Sequence, residues 1–356
     1  MRRGTSAIIS LVLALLMACP GAQGAYDPVG GGTAKLTLDK AFASFLEKDK
    51  IKLLASAGAK RKGAIFTLPV ISGNLDPTLG KGEVDTAGTL AFQAKGAKVP
   101  LREITVKTKH SPLIAKVGGS QLKAAQGAKL SFKRVGFDSE VKATHLLLTT
   151  KLITRLNKKL RPKFPFQAGQ LLGTIAAKAE PKLVTIEDKG KATLVFDSGF
   201  IAKLDSRFVS VTPIFPAEHQ GASFTLPIAL GGLLAPDGSQ GTLRTGGAIE
   251  LLQLGGGQIF WAEQWLDLAS HTDSAEADLE PTPSFPGKLG RVGIFEISGG
   301  TFTADPRART LSLGGAQLTL SAEGASELNR AFAQGEDPAF GAGEAVGSFS
   351  FTAQGQ

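Results

Sequence analysis

The sequence says one thing twice. "GAIFTLPVISGNL" (Gly63–Leu75) returns 158 positions later as "GASFTLPIALGGL" (Gly221–Leu233). The match runs upstream without a gap, laying "LTLDKAFASFL" (Leu36–Leu46) over "LVFDSGFIAKL" (Leu194–Leu204). Downstream the offset grows slowly. "AGTLAF" (Ala87–Phe92) meets "GGAIEL" (Gly246–Leu251), and "AGQLLGT" (Ala168–Thr174) meets "AGEAVGS" (Ala342–Ser348). A collinear series with growing offsets is a duplication, and its period is far too long for a solenoid, so each copy is a domain-sized unit. The units are expected at 33–180 and 191–356, with a linker near Glu180–Gly190 whose "KLVTI" could equally be a strand.

Within each copy, short apolar or alternating runs are broken by Gly, Pro, Asn and Asp, which is the pattern of strands and turns. "AIFTLPV" (Ala64–Val70), "GTLAFQA" (Gly88–Ala94), "REITVKT" (Arg102–Thr108) and "HLLLTT" (His145–Thr150) read as strands, and the 44 glycines mark tight turns between them. The economical architecture is mainly β: two tandem antiparallel β-sandwich domains, each with one or two short helices. Asp39 is placed to cap a helix carrying Leu38, Phe42, Phe45 and Leu46. A second helix is expected over "LITRLNKKL" (Leu152–Leu160) and again over "GASELNRAF" (Gly324–Phe332).

The first residues read as an export signal over 1–24. Arg2 and Arg3 precede an apolar run (Ala7–Ala18), and small residues follow. Cleavage after Gly24 is the expectation. Lipidation at Cys19 is the alternative, because "LMAC" (Leu16–Cys19) is similar to a lipobox. The mature chain is then secreted or held at the cell envelope, with no transmembrane helix. Cys19 is the only cysteine, so packing without disulfides must hold both units.

Charge divides the copies. Residues 33–180 carry 27 Lys and Arg against 10 Asp and Glu, a net +17; residues 191–356 carry 9 against 18, a net −9. Such asymmetry serves solubility and mutual attraction of the copies, or it suits the first copy to an anionic partner such as an envelope polymer. Nucleic acid is not the expected partner, since the first copy has no Tyr or Trp for stacking on bases.

The order of features resembles the Htaa domain family, the cell-surface haem-uptake domains of actinobacteria. "LTLDKAFASFL" and "LVFDSGFIAKL" stand where that family opens with a helix. "FTLPVISG" (Phe66–Gly73) and "FTLPIALGG" (Phe224–Gly232) match its Phe- and Pro-bearing segment, and "LTLSAEGASELNRAFAQGEDPAFGAGEAV" (Leu318–Val346) matches its closing stretch. The resemblance implies a mostly antiparallel β-sandwich and binding of haem or another hydrophobic or anionic ligand. It also exposes a departure: the family's axial tyrosine falls at Phe45 in one copy and Lys203 in the other. The stretches matching its histidine-bearing segment, "QAKGAKV" (Gln93–Val99) and "QLGGGQI" (Gln253–Ile259), hold no histidine.

Few residues remain to carry chemistry. His110 and His271 sit at similar depth in the two copies and are the candidate imidazole ligands; a solvated turn histidine is the plain alternative for each. Trp261 and Trp265, in "QIFWAEQW", form with Phe260 the one dense aromatic cluster, expected on one face as core or as a ligand wall. Asp39/Asp197 and Asn157/Asn329 recur in both copies, where capping and turn geometry account for them. No triad, paired carboxylates or metal-ligand spacing emerges, so a binding protein is expected, not an enzyme. A structural or adhesive surface protein is the alternative.

Overall fold

The computed structural model describes residues 26–109, 113–279, 288–333 and 338–356. The expected signal and Cys19 lie outside the described residues, as does His110. The first unit runs β1 (Asp27–Leu38), α1 (Lys40–Lys48), β2 (Lys52–Ser56), β3 (Lys60–Lys62), β4 (Ile65–Leu75), β5 (Gly82–Ala94) and β6 (Ala97–Lys107). It continues with β7 (Leu113–Val117), β8 (Ser120–Val135), β9 (Asp138–Leu148), α2 (Thr150–Leu160) and β10 (Leu171–Pro181).

β5 to β10 pair in succession, β10 pairs with β1, β1 with β4, and β4 with β5. The antiparallel sheet therefore closes into a ring that removes its edges, while β2 and β3 extend it at the margin. Alternation sets the inside: along β9, Val141, Ala143, Leu146 and Leu148 are buried. α1 and α2 stopper the interior. Asp39 Oδ1 accepts from the amides of Ala41 and Phe42 (2.9 and 3.3 Å), and Thr149 caps α2 at Leu152.

The second unit repeats the plan with β11 (Val184–Phe196), α3 (Ser198–Asp205), β12 (Val209–Ile214), β13 (Glu218–Gln220), β14 (Ser223–Pro227), β15 (Leu233–Leu234) and β16 (Gly241–Arg244). After these come β17 (Ala248–Gln253), β18 (Gln258–Asp267), β19 (Thr272–Leu279), β20 (Lys288–Asp305), β21 (Thr310–Leu320), α4 (Ala322–Phe332) and β22 (Ala345–Gly355). Its sheet closes through β15–β16, β16–β18 and β18–β19. Strands that are continuous in the first copy are split here: β4 corresponds to β14 plus β15, and β5 to β16 plus β17. One glycine is required twice. At Gly173 (φ +146°) a Cβ would stand 2.0 Å from Thr37 O, and at Gly347 (φ +157°) 1.9 Å from Val195 O.

Each ring encloses its own apolar cluster, one built from Val29 to Ala179 and the other from Val184 to Ala353. The stretch read as a linker is mostly strand, because β11 already begins at Val184 and pairs with Leu233–Leu234. One residue crosses over. Phe137, at the β8–β9 turn, is buried in the second unit's cluster.

Candidate functional site

The opening helix of each copy and the segment after its second helix meet at one end of the ring. In the first unit, Phe42 and Leu46 point inward from α1, and Phe45 lies beside them, half-buried. The Phe45 ring is 5.1 Å from Phe166 and 6.2 Å from Phe42, and Phe92 joins Phe166 at 6.0 Å. Asn157 holds Phe166 from both sides, donating from Nδ2 to its carbonyl (2.9 Å) and accepting its amide at Oδ1 (2.8 Å). Asp49 accepts the amides of Lys163 and Phe164 at 3.1 and 3.0 Å. The rim is cationic: Lys95 reaches the Arg161 carbonyl, and the Lys163 ammonium lies 5.6 Å from the ring of Phe164, which is 52% exposed.

The second unit keeps the frame and changes the lining. Asn329 clasps Phe340 as Asn157 clasps Phe166, with bonds of 2.7 and 2.9 Å. At the place of Phe45 stands Lys203, whose ammonium lies 2.5 Å from Glu344 Oε1, 3.1 Å from the Ala339 carbonyl and 5.8 Å from the Phe340 ring. Where the first copy has Lys50 and Lys95, the second has Phe208 and Leu254, 72% and 84% exposed and joined by a 3.0 Å backbone bond. The first end is thus aromatic and cation-rimmed; the second is apolar at Phe208 and Leu254, pairs Lys203 with Glu344, and carries Arg207 at the place of Asp49, donating to the Phe332 carbonyl at 3.2 Å.

Neither position fits the axial ligation of an iron. A phenyl ring has no lone pair to donate, and the Lys203 ammonium is bonded to a carboxylate and a carbonyl. His271 is exposed in the β18–β19 turn in the left-handed region (φ 57°). Among the described residues no three His, Cys, Asp or Glu side chains gather as metal ligands, and no described helix is long and apolar enough to cross a membrane.

The two tryptophans do not share a face. A bulge between Ala262 and Trp265, with Glu263 at φ 46°, inserts an extra residue and reverses the alternation. Trp261 is fully buried against Phe295 (5.3 Å, edge-on). Trp265 lies outside, with the guanidinium carbons of Arg244 and Arg291 each 4.1 Å from its ring centre. The bulge is duplicated, since Glu103 takes φ 47° at the matching position, and the repeated "RE"/"AE" dipeptides gave no sign of it.

No known family profile and no curated relative matches the chain. The chain is similar to two solved HtaA domains. One is the N-terminal domain of HtaA from Corynebacterium glutamicum, 16% identical, matched over 48% of this chain and 98% of its own with a TM-score of 0.36. The other is the C-terminal domain of the same protein, 16% identical, matched over 43% of this chain and 98% of its own with a TM-score of 0.33.

The resemblance singled out Phe45 and Lys203, and the side chains around them were not read from the sequence. Asn157 and Asn329 were explained as capping or turn residues, yet each clamps the phenylalanine that lines the site. The repeat of "FPFQAG" (Phe164–Gly169) as "PAFGAG" (Pro338–Gly343) was the available signal.

Proposed function

We propose that this chain is a non-catalytic, exported binding protein of the cell envelope whose first unit takes a flat hydrophobic anion at the α1 end. Haem is the leading candidate through the sequence resemblance. The supporting observation is the half-buried Phe45 beside Phe166 and the exposed Phe164, bordered by Lys95, Arg161 and Lys163. Rings and aliphatic stems offer an apolar face, and the ammonium and guanidinium groups suit carboxylates at its edge. The ligand is held by ring and charge without a protein bond to iron. Hemin and metal-free protoporphyrin should therefore bind the full-length protein with comparable affinity, read by Soret shift and by quenching of porphyrin emission. Spectra equal to those of the free porphyrins would remove tetrapyrroles from this reading.

The adhesive reading has its own support. Lys129, Lys133 and Lys142 are exposed on the outer face of β8 and β9, far from the aromatic end in sequence. Retention of the full-length protein on an acidic wall polymer should fall steeply as salt rises. Retention unaffected by salt would rule this reading out.

A further inference from the structure

The two interiors differ in polarity across one pair of strands, and duplication makes the comparison direct. In the first ring, the buried positions across β6 and β7 include Leu101, Ile104 and Leu113. They face Leu36, Leu53 and Leu90 around a wholly apolar void of about 10 Å³. The same positions of β18 and β19, each 160 residues later, are Trp261, Gln264 and Asp273. Their registers agree, with Thr105 opposite Ile114 in one copy and Trp265 opposite Ser274 in the other. At these three positions the first ring closes with aliphatic side chains, and the second copy carries polar ones that closure does not need.

These polar groups are buried and lack protein partners. Trp261, Gln264, Asp273 and Thr245 are at most 3% exposed. Trp261 Nε1, both side-chain polar atoms of Gln264, Thr245 Oγ1 and Asp273 Oδ2 each have no hydrogen-bond partner in the protein. They share a neighbourhood. Thr245 bonds through its backbone to Gln264, Gln264 lies between Trp261 and Leu266 on β18, and Asp273 is opposite Leu266. Phe295 is paired with Asp273 and touched edge-on by Trp261. In the first copy the matching hydroxyl of Thr86 is satisfied, donating to the Ile104 carbonyl at 2.8 Å. In the second copy it is not.

We propose that the second ring holds an internal water site, bonded by Trp261 Nε1, Gln264, Thr245 Oγ1 and Asp273, where the first ring is dry. The donor inventory selects the ligand. The indole N–H and the amide NH₂ can only donate, the amide oxygen accepts, and the hydroxyl and the Asp273 carboxyl, which burial keeps protonated up to about pH 7, do either. A bare cation would leave the two N–H groups unmet, and an anion would leave the amide oxygen of Gln264 unmet. Only a small molecule that donates and accepts meets the set, and water with two to four partners is the smallest. Ala277, the cross-strand neighbour of Trp261, stands where the first copy has the larger Val117.

The test is nuclear magnetic cross-relaxation between water and the tryptophan indoles of the full-length protein, with Trp265→Phe used to assign the two signals. The Trp261 indole N–H should show the sign of a long-lived water. Gln264→Ile with Asp273→Leu, the residues of the first copy, should abolish that signal and raise the thermal midpoint. A Trp261 indole without a long-lived water overturns the proposal. Should the double variant fail to fold, the wild-type crystal density decides. Water between Gln264 and Asp273 supports the site, and direct side-chain bonds or a metal ion there overturn it.

Discussion

Asp27 and Arg134 form a buried ion pair at the seam between the units, with 3.2 Å between Oδ2 and Nη1 and side chains only 5% and 11% exposed. Both belong to the first unit, yet the other carboxylate oxygen of Asp27 accepts the amide of Thr185 in the second at 2.9 Å. Burial is the largest influence on each group, pushing the Asp27 carboxyl up and the Arg134 guanidinium down, and their attraction opposes it. A pair of this kind contributes little net stability intact and much when broken. Asp27→Asn should cost roughly 3 kcal/mol by leaving Arg134 uncompensated, whereas Asp27→Asn combined with Arg134→Met, which keeps an acceptor for the Thr185 amide, should cost far less. Urea unfolding of the three proteins checks this, and equal losses would refute it.

Phe137 makes the seam more than polar. It leaves the first unit's β8–β9 turn, and its ring lies in the second unit's core near Val184 and Gly355. Beside it, Gly136 abuts Pro306 in the β20–β21 turn. Phe137→Ala should therefore destabilise the second unit, by about 3 kcal/mol. Hydrogen exchange should accelerate in β11 and β22 and not in β4 or β5. Faster exchange confined to the first unit would contradict the placement.

The duplication, the strands and the helices were legible because each depends on local pattern: a cap at Asp39, alternation along β9, apolar spacing in α2. Ring closure was not, since it depends on β4 pairing with β5 and β1 at once, a long-range matter of twist. The Trp261–Trp265 face was misread because one bulge at Glu263 shifts the period-two rule by a residue, and the residue there is not a glycine. Phe45 and Lys203 were singled out by the resemblance alone. Their neighbours Phe166 and Glu344 lie more than a hundred residues away in sequence and were not.

Restoring a tyrosine tests the α1 end directly. Phe45 is half-buried beside Phe166, so Phe45→Tyr adds one oxygen at the rim of an existing ring at little cost to the fold. With hemin bound, the variant should gain a tyrosinate-to-iron charge-transfer band that the wild type lacks, and should now prefer hemin to metal-free protoporphyrin. Identical spectra for variant and wild type would show that the ring does not face the bound ligand.

Asp273 gives the second unit its own pH dependence. Complete burial raises its pKa from 3.8 to about 7, against the pull of the Arg291 guanidinium. Between those values the folded state holds a proton that the unfolded chain has released, so stability falls as pH rises. The contribution is fully present below about pH 4, declines through the interval and is gone above about pH 7, on the order of a few kcal/mol in all. Asp273→Asn stays neutral throughout and should flatten this slope while leaving the first unit's behaviour unchanged. Urea midpoints followed from pH ~4 to ~8, with Trp261 fluorescence reporting the second unit, are the measurement. A wild-type midpoint that rises over that range while the asparagine variant follows it in parallel would place the titration elsewhere.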